Sequence, residues 1–240
     1  MEELQKNHQI VYYAKQNAMG LSMNLFIFGY KQFATTTRLK NLDHLKKLCS
    51  GLDPHSEEGY GYITGFAMEQ LIDSIKISIC FENFMKAMLL LNDFVIHKLD
   101  RAVFPDLYKE QFIRPITLNE VRSVSDWQFV SSIDLPDPSL RNQIRGLSKF
   151  TIGMKELLSP AYLSTLNMDA EVMRICTPFF QYRNNLHYYI SEGFTFTRND
   201  YDDFIKIIEF INVDLVRLQN EIVDHLKKGE QYKLKPITYN

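Results

Sequence analysis

The chain has 240 residues, 45% of them hydrophobic and 13% aromatic, which is enough for a sizeable core in one large domain or in a domain carrying an extension. A formal net charge of -2 excludes a global field that would advertise nucleic acid, while leaving room for a local basic patch. Cys49, Cys80 and Cys176 are few, odd in number and scattered, a pattern of reduced thiols in an intracellular protein rather than of a disulfide framework. Residues 1–10 are polar and mixed in charge, unlike a secretory signal. No apolar run approaches the roughly 18 residues of a membrane span. A soluble, cytoplasmic protein without membrane contact is expected.

Residues 1–34 read as helical, with Gly20 and Gly29 as weak points and a stripe of Tyr12, Tyr13, Met19, Met23, Phe26 and Phe28 suited to packing on the main body. Residues 38–49 form a short amphipathic helix with Gly51 in the usual stop region. Residues 53–62, D-P-H-S-E-E-G-Y-G-Y, carry loop chemistry. The organisation expected is an N-terminal helical extension over 1–58, then a helical bundle over 59–240 with an insert at about 101–160.

Between Phe66 and Phe104 there is neither Gly nor Pro, the composition of one long helix or two stacked end to end. Met68, Leu71, Ile72, Ile75 and Ile79 share one face at helical spacing, and Phe81, Phe84, Met88, Leu91 and Val95 lie on the opposite side. The buried side therefore changes midway, or the helix bends, and the first face runs on through Glu82, Lys86, Asp93 and His97. The plain reading of Glu82 and Lys86 is an i,i+4 ion pair on a solvated face, worth a few tenths of a kcal/mol.

Residues 101–160 hold five of the 8 prolines and the single Trp, Trp127. Short strands are expected over 111–118 and 127–132, and short helices from Asp137-Pro138 and Ser159-Pro160. Residues 169–190 form a helix kinked at Pro178. Residues 194–197 are an extended bridge, and Asn199 or Asp200 caps a last helix running to Lys228 and stopped by Gly229. Phe204, Ile208, Ile211, Leu215, Leu218 and Ile222 are its core stripe. The sum is a mainly α protein, an antiparallel helical bundle with an N-terminal helical extension and a partly irregular insert with short strands.

Several familiar sites are missing. The sequence has no zinc-type Cys/His spacing, no G-x-x-x-x-G-K-[ST] loop, no G-x-S-x-G elbow and no G-x-G-x-x-G after a strand. His8, His44, His55 and His225 sit beside charged or loop residues and read as surface groups. Asp200, Asp202 and Asp203 suit the positive end of their helix better than a metal, so neither metal nor cofactor is expected. What stands out is residues 179–190, F-F-Q-Y-R-N-N-L-H-Y-Y-I. At 100° per residue Arg183 and His187 fall on the side of Val172, Cys176, Phe179, Phe180 and Ile190. Unpaired buried charge is costly, so the pair must meet a carboxylate, a subunit interface or a phosphate.

R-N-N-L-H in a late helix, after an earlier E-N-F-M-K-A-M-L-L-L-N-D-F-V-I-H-K-L, resembles the HEPN (Higher Eukaryotes and Prokaryotes Nucleotide-binding) family over about residues 66–100 and 168–228. In that family Glu, then Lys four residues on, mark the earlier helix, and Arg, a polar residue and His mark the later one. Glu82 and Lys86 match the first set, and Arg183, Asn184 and His187 the second; His97 is added because it shares the face of Glu82 and Lys86. This chain places three residues between Arg and His, where the family places four to six. The resemblance implies a helical, homodimeric, metal-independent RNA endonuclease of a toxin or antiviral-defence system, with RNA or a nucleotide bound and an antitoxin or other protein as further partner. In such an enzyme His187 serves as general acid or base, Arg183 grips phosphate oxygens, Asn184 orients, and Glu82 and Lys86 support. With the two-fold axis beside this helix, both copies' Arg/His pairs would line one groove. The short spacing, the acidic balance and the large extensions favour the alternative, a non-catalytic HEPN-like module binding a nucleotide or a protein partner. A plainer arrangement has Arg183 bridging to Glu82 within the bundle in a purely structural scaffold.

Overall fold

The computed structural model describes residues 15–102, 104–124, 147–184 and 197–239. Among these, 70% are helical and 4% lie in strands, so the protein is mainly α, a helical bundle with one small sheet. In chain order the elements are α1 (Lys15–Ala34), α2 (Thr37–Lys40), α3 (Leu42–Cys49), α4 (Glu57–Leu91), β1 (His97–Leu99), α5 (Pro105–Glu110), α6 (Leu118–Val124), β2 (Leu147–Thr151), α7 (Met154–Leu157), α8 (Pro160–Thr165), α9 (Ala170–Asn184) and α10 (Asp200–Phe210). A π-helical stretch, Ile211–Val216, continues α10 into α11 (Arg217–His225). The expectations for residues 1–14, for a strand at 127–132, for a helix from Asp137, and for residues 185–190 and 194–196 lie outside the described residues.

The long helix begins and ends elsewhere than the sequence suggests. It starts at Glu57, inside the supposed loop, because Ser56 acts as an N-cap: its Oγ accepts the Gly59 N–H at 3.0 Å, and its carbonyl accepts the Tyr60 N–H at 2.8 Å. The Asp53 carbonyl lies where a Cβ on residue 59 would stand, so only glycine lets the chain turn into the helix there. It stops at Leu91, where Asp93 takes the left-handed conformation (φ 59°). The face of Met68 and Ile72 is exposed, whereas Phe66, Asp73, Ile77, Cys80, Phe81 and Phe84 are buried. The buried side therefore does not switch midway as the faces suggested.

The described residues form two compact units, one from the stretches Met1–Leu25, Met85–Met168 and His225–Lys227, the other from Phe26–Phe84, Asp169–Asp224 and Lys228–Asn240. The second unit is built on phenylalanine. Phe81 stacks on Phe210 (5.2 Å between centroids) and meets Phe180 edge-on (5.7 Å), Phe84 meets Phe210 edge-on (5.0 Å) and packs on Phe26 (5.7 Å), and Phe33 stacks on Phe204 (5.6 Å). Gly29, far from being a weak point, is where α1 crosses α4: a Cβ there would sit 3.0 Å from the Cys80 carbonyl oxygen. Asp73 accepts the Thr37 and Arg38 N–H groups at 2.8 and 2.9 Å and so caps α2 from the middle of α4. Burial holds its carboxyl above the ordinary range, with those two donors pulling the other way. The C-terminal segment is held by amide side chains. Asn212 exchanges two hydrogen bonds with the backbone of Ile237, and Gln219 and Asn220 bond the backbone of Tyr232 and Leu234.

The first unit holds the sheet. β1 and β2 pair antiparallel, His97 opposite Thr151 and Leu99 opposite Leu147, with an irregularity between. The strand expected over 111–118 is instead the turn after α5, a single bridge from Thr117 to Phe94, and the first residue of α6. Gln111 is the reason β1 holds its place: its Oε1 accepts the Leu99 N–H at 2.9 Å and its Nε2 donates to the His97 carbonyl at 2.8 Å. Tyr162 then donates to the Gln111 carbonyl at 2.8 Å. Two backbone groups thus rest on one buried amide. Gln111→Leu is expected to lower unfolding stability by about 2 kcal/mol or more, since each buried group left unmatched costs roughly 1–3 kcal/mol; urea denaturation followed by circular dichroism measures the loss.

Candidate functional site

α9 presents its stripe as the sequence predicts: Val172, Cys176, Phe179 and Phe180 are all buried. Arg183 follows Phe179 by four residues on the same helix and Asn184 is its last residue; their side chains, and the whole of His187, lie outside the described residues. The helices that carry Glu82 and Arg183 meet through the neighbours of those residues. Ser78 Oγ donates to the Phe179 carbonyl at 3.3 Å, and the Phe81 ring packs on Phe180. Glu82 is next in chain to Phe81, and Arg183 lies three residues beyond Phe180, so both motif helices run together at this level. Cys80 and Cys176 are buried here as free thiols, and burial pushes both well above the usual thiol range. They are inert packing groups.

Lys86 and His97 are placed differently from the sequence reading. His97 does not share a helix face with Glu82 and Lys86; it stands in β1, after α4 has ended. Lys86 is only 8% exposed, so it does not stand on a solvated face. Its ammonium donates to Thr151 Oγ1 at 2.8 Å, and Thr151 is the β2 partner of His97. The three residues therefore form one cluster at the sheet, joined by folding rather than by helical periodicity. Desolvation, with the Lys86 charge adding to it, brings the His97 imidazole down to about 4. A ring neutral at physiological pH can accept a proton only at real cost, which makes it a poor general acid near neutrality.

A polar cleft of about 410 Å³ opens where α9 faces α2, α4 and the start of α10, with Arg38, Gln70, Arg174, Phe179, Asp200 and Asp203 in its wall. Arg38, 4% exposed, donates through Nη2 to Gln70 Oε1 at 2.7 Å and lies over the Phe179 ring, 5.4 Å from its centroid. Arg174 grips Glu171 through Nε and Nη2 at 2.8 and 3.0 Å and stands 3.9 Å from Asp203. Two guanidiniums balanced by two aspartates leave little net field for an anion, so the cleft offers hydrogen bonds rather than a phosphate seat. Arg38 was missed because a lone Arg in a short amphipathic helix reads as surface; Gln70, Asp73 and Phe179, far away in sequence, give it a buried place. Asp200 spends one oxygen on the Thr197 N–H at 2.6 Å, in keeping with a helix-start role. Among the described residues no group of His, Cys, Asp and Glu could hold a metal ion, and no helix is long and apolar enough to cross a membrane.

Comparison with known proteins finds no matching family model, no matching curated protein and no matching solved structure.

The His97 environment has a measurable signature. Because its folded value lies below the ordinary 6.5, the stability it carries is complete above that pH and drains away as pH falls towards about 4. In a proton NMR titration its ring resonance is expected to move with a midpoint near 4. Replacement by Phe is expected to flatten the fall in stability across that same acid window, read from melts at successive pH values.

Proposed function

We propose that this chain is a HEPN-like, metal-independent RNA endonuclease of the toxin or antiviral-defence kind, acting through Arg183, Asn184 and His187. What supports the reading is the packing of Phe81 on Phe180, which runs the Glu82 turn of α4 beside the Arg183 turn of α9. RNA can be cut by its own 2′-OH attacking the adjacent phosphate, a reaction that needs proton transfer and stabilisation of added negative charge. An imidazole with an ordinary pKa near neutrality, as in the role given to His187, serves the first need. A guanidinium fork, as in the role given to Arg183, serves the second. Asn184 orients the phosphate or the ring, and Glu82 is the carboxylate that can fix the guanidinium. Purified protein is expected to cleave single-stranded RNA in EDTA and leave a 2′,3′-cyclic phosphate, with His187→Ala slowing the reaction by about 100-fold or more. Equal cleavage by the His187→Ala protein ends the nuclease reading.

A second reading, a non-catalytic HEPN-like module that binds a nucleotide or a protein partner such as an antitoxin, draws on a specific observation. Lys86 already donates to Thr151 Oγ1, and His97 is held neutral beside it, so two of the supporting groups serve the fold. A binder is stabilised by its ligand without consuming it, by about 2.7 kcal/mol at a hundredfold excess over Kd. Thermal melts with nucleotides and with short RNA distinguish the readings: a shift with intact ligand favours the module, and no shift with either ligand leaves a protein partner.

A further inference from the structure

Helix α4 is apolar on both sides. Its inner face, with Phe66, Ile77, Phe81 and Phe84, is buried, yet Met68 on the outer face is 75% exposed and Ile72 is 45% exposed. Ile75 and Ile79 continue that outer line half-buried. A helix hydrophobic all round is ordinarily covered all round. The outer line is also regular: residues 61, 65, 68, 72, 75 and 79 alternate steps of four and three, the seam spacing by which one helix packs along another in a left-handed pair. Its first two members are Gly61 and Gly65, and a Cβ at either would meet nothing within 4 Å. Packing within the chain does not require glycine there, although each weakens the helix relative to alanine; bare backbone at those positions does let another helix come close.

We propose that this face is a self-association surface, on which α4 of a second copy packs antiparallel. The charges beside the seam select that occupant. Glu69 and Lys76 occupy the same flank, seven residues apart, and both are anchored towards the α1–α2 turn: Thr37 Oγ1 donates to Glu69 at 3.5 Å, and Lys76 donates to the Thr35 carbonyl at 2.7 Å. Inverting the seam onto itself sets Ile72 against the second copy's Ile75 and Met68 against its Ile79. The same inversion brings Glu69 to the second copy's Lys76, and by symmetry Lys76 to its Glu69. A parallel seam would instead pair this flank with Thr64, Leu71 and Ser78, none of them charged. The surface is complementary to its own inverse, which is what a two-fold contact requires.

This inference does not rest on the nuclease reading, and RNA cleavage is not its readout. Sedimentation velocity on the full chain at micromolar concentrations is expected to show a monomer–dimer equilibrium. Ile72→Glu is expected to raise the dimer Kd by about 100-fold or more, while thermal melts at dilution stay near wild type because Ile72 is nearly half exposed; Met68→Glu is the second variant should the first fail to fold. Glu69→Lys alone should weaken the dimer, and adding Lys76→Glu should recover it, because the swapped pair restores both contacts. A wild type that stays monomeric overturns the proposal, including one that binds an unrelated protein instead. So does a dimer whose Kd ignores Ile72→Glu, or a charge swap that recovers nothing.

Discussion

Edge-on and stacked phenylalanines between α4, α9 and the α10 helix hold one of the two units in place. Phe81 touches both Phe180 and Phe210, and Phe84 touches Phe210 and Phe26. Each such ring pair contributes about 0.5–1.5 kcal/mol beyond the area it buries, and these share members, so they succeed or fail together. Ring planes also fix rotation about a helix axis far better than aliphatic contacts do. Arg183 and Asn184 close α9 within a turn of Phe180, and Glu82 follows Phe81 on α4.

Elsewhere the architecture leans on polar side chains that imitate backbone. Gln111 occupies the place of a neighbouring strand for β1, Asp73 closes the start of α2, and Lys86 fastens the end of β2 through Thr151. All of these groups are buried, where an unmatched partner is expensive and a matched one is specific. The arrangement explains how short elements such as the four-residue α2 persist at all. Their end groups are satisfied from distant parts of the chain, so their existence depends on the fold more than on their own sequence.

Those distant partners also set what could be read beforehand. The helical class, the stripe Phe204, Ile208, Ile211, Leu215 and Ile222 (with its sixth member, Leu218, only half-buried), the Pro-initiated α8 and the buried face of α9 all follow from local periodicity and end signals, and each is present. Ser56 was equally local, but three glycines after it masked a good cap. The placement of His97 failed because an apolar stretch without Gly or Pro gives no sign that Asp93 will adopt a left-handed turn. The exposed face of Met68 and Ile72 looked like core because periodicity reports that a face is apolar, not what covers it. Arg38 and Gln111 carried no readable signal: their significance comes from partners that only tertiary folding supplies.

The C-terminal segment illustrates a different economy. Asn212, Gln219 and Asn220 reach its peptide groups, not its side chains, and the N–H groups they use belong to Leu234 and Ile237. Recognition of this kind is blind to what the docked stretch displays and strict about where it carries hydrogen. Pro236 falls between the two donors, at a place where no hydrogen is asked for. The imino acid is thus admissible at that position and ruled out one step later or two steps earlier, a rule of tail composition written by three carboxamides on the neighbouring helix.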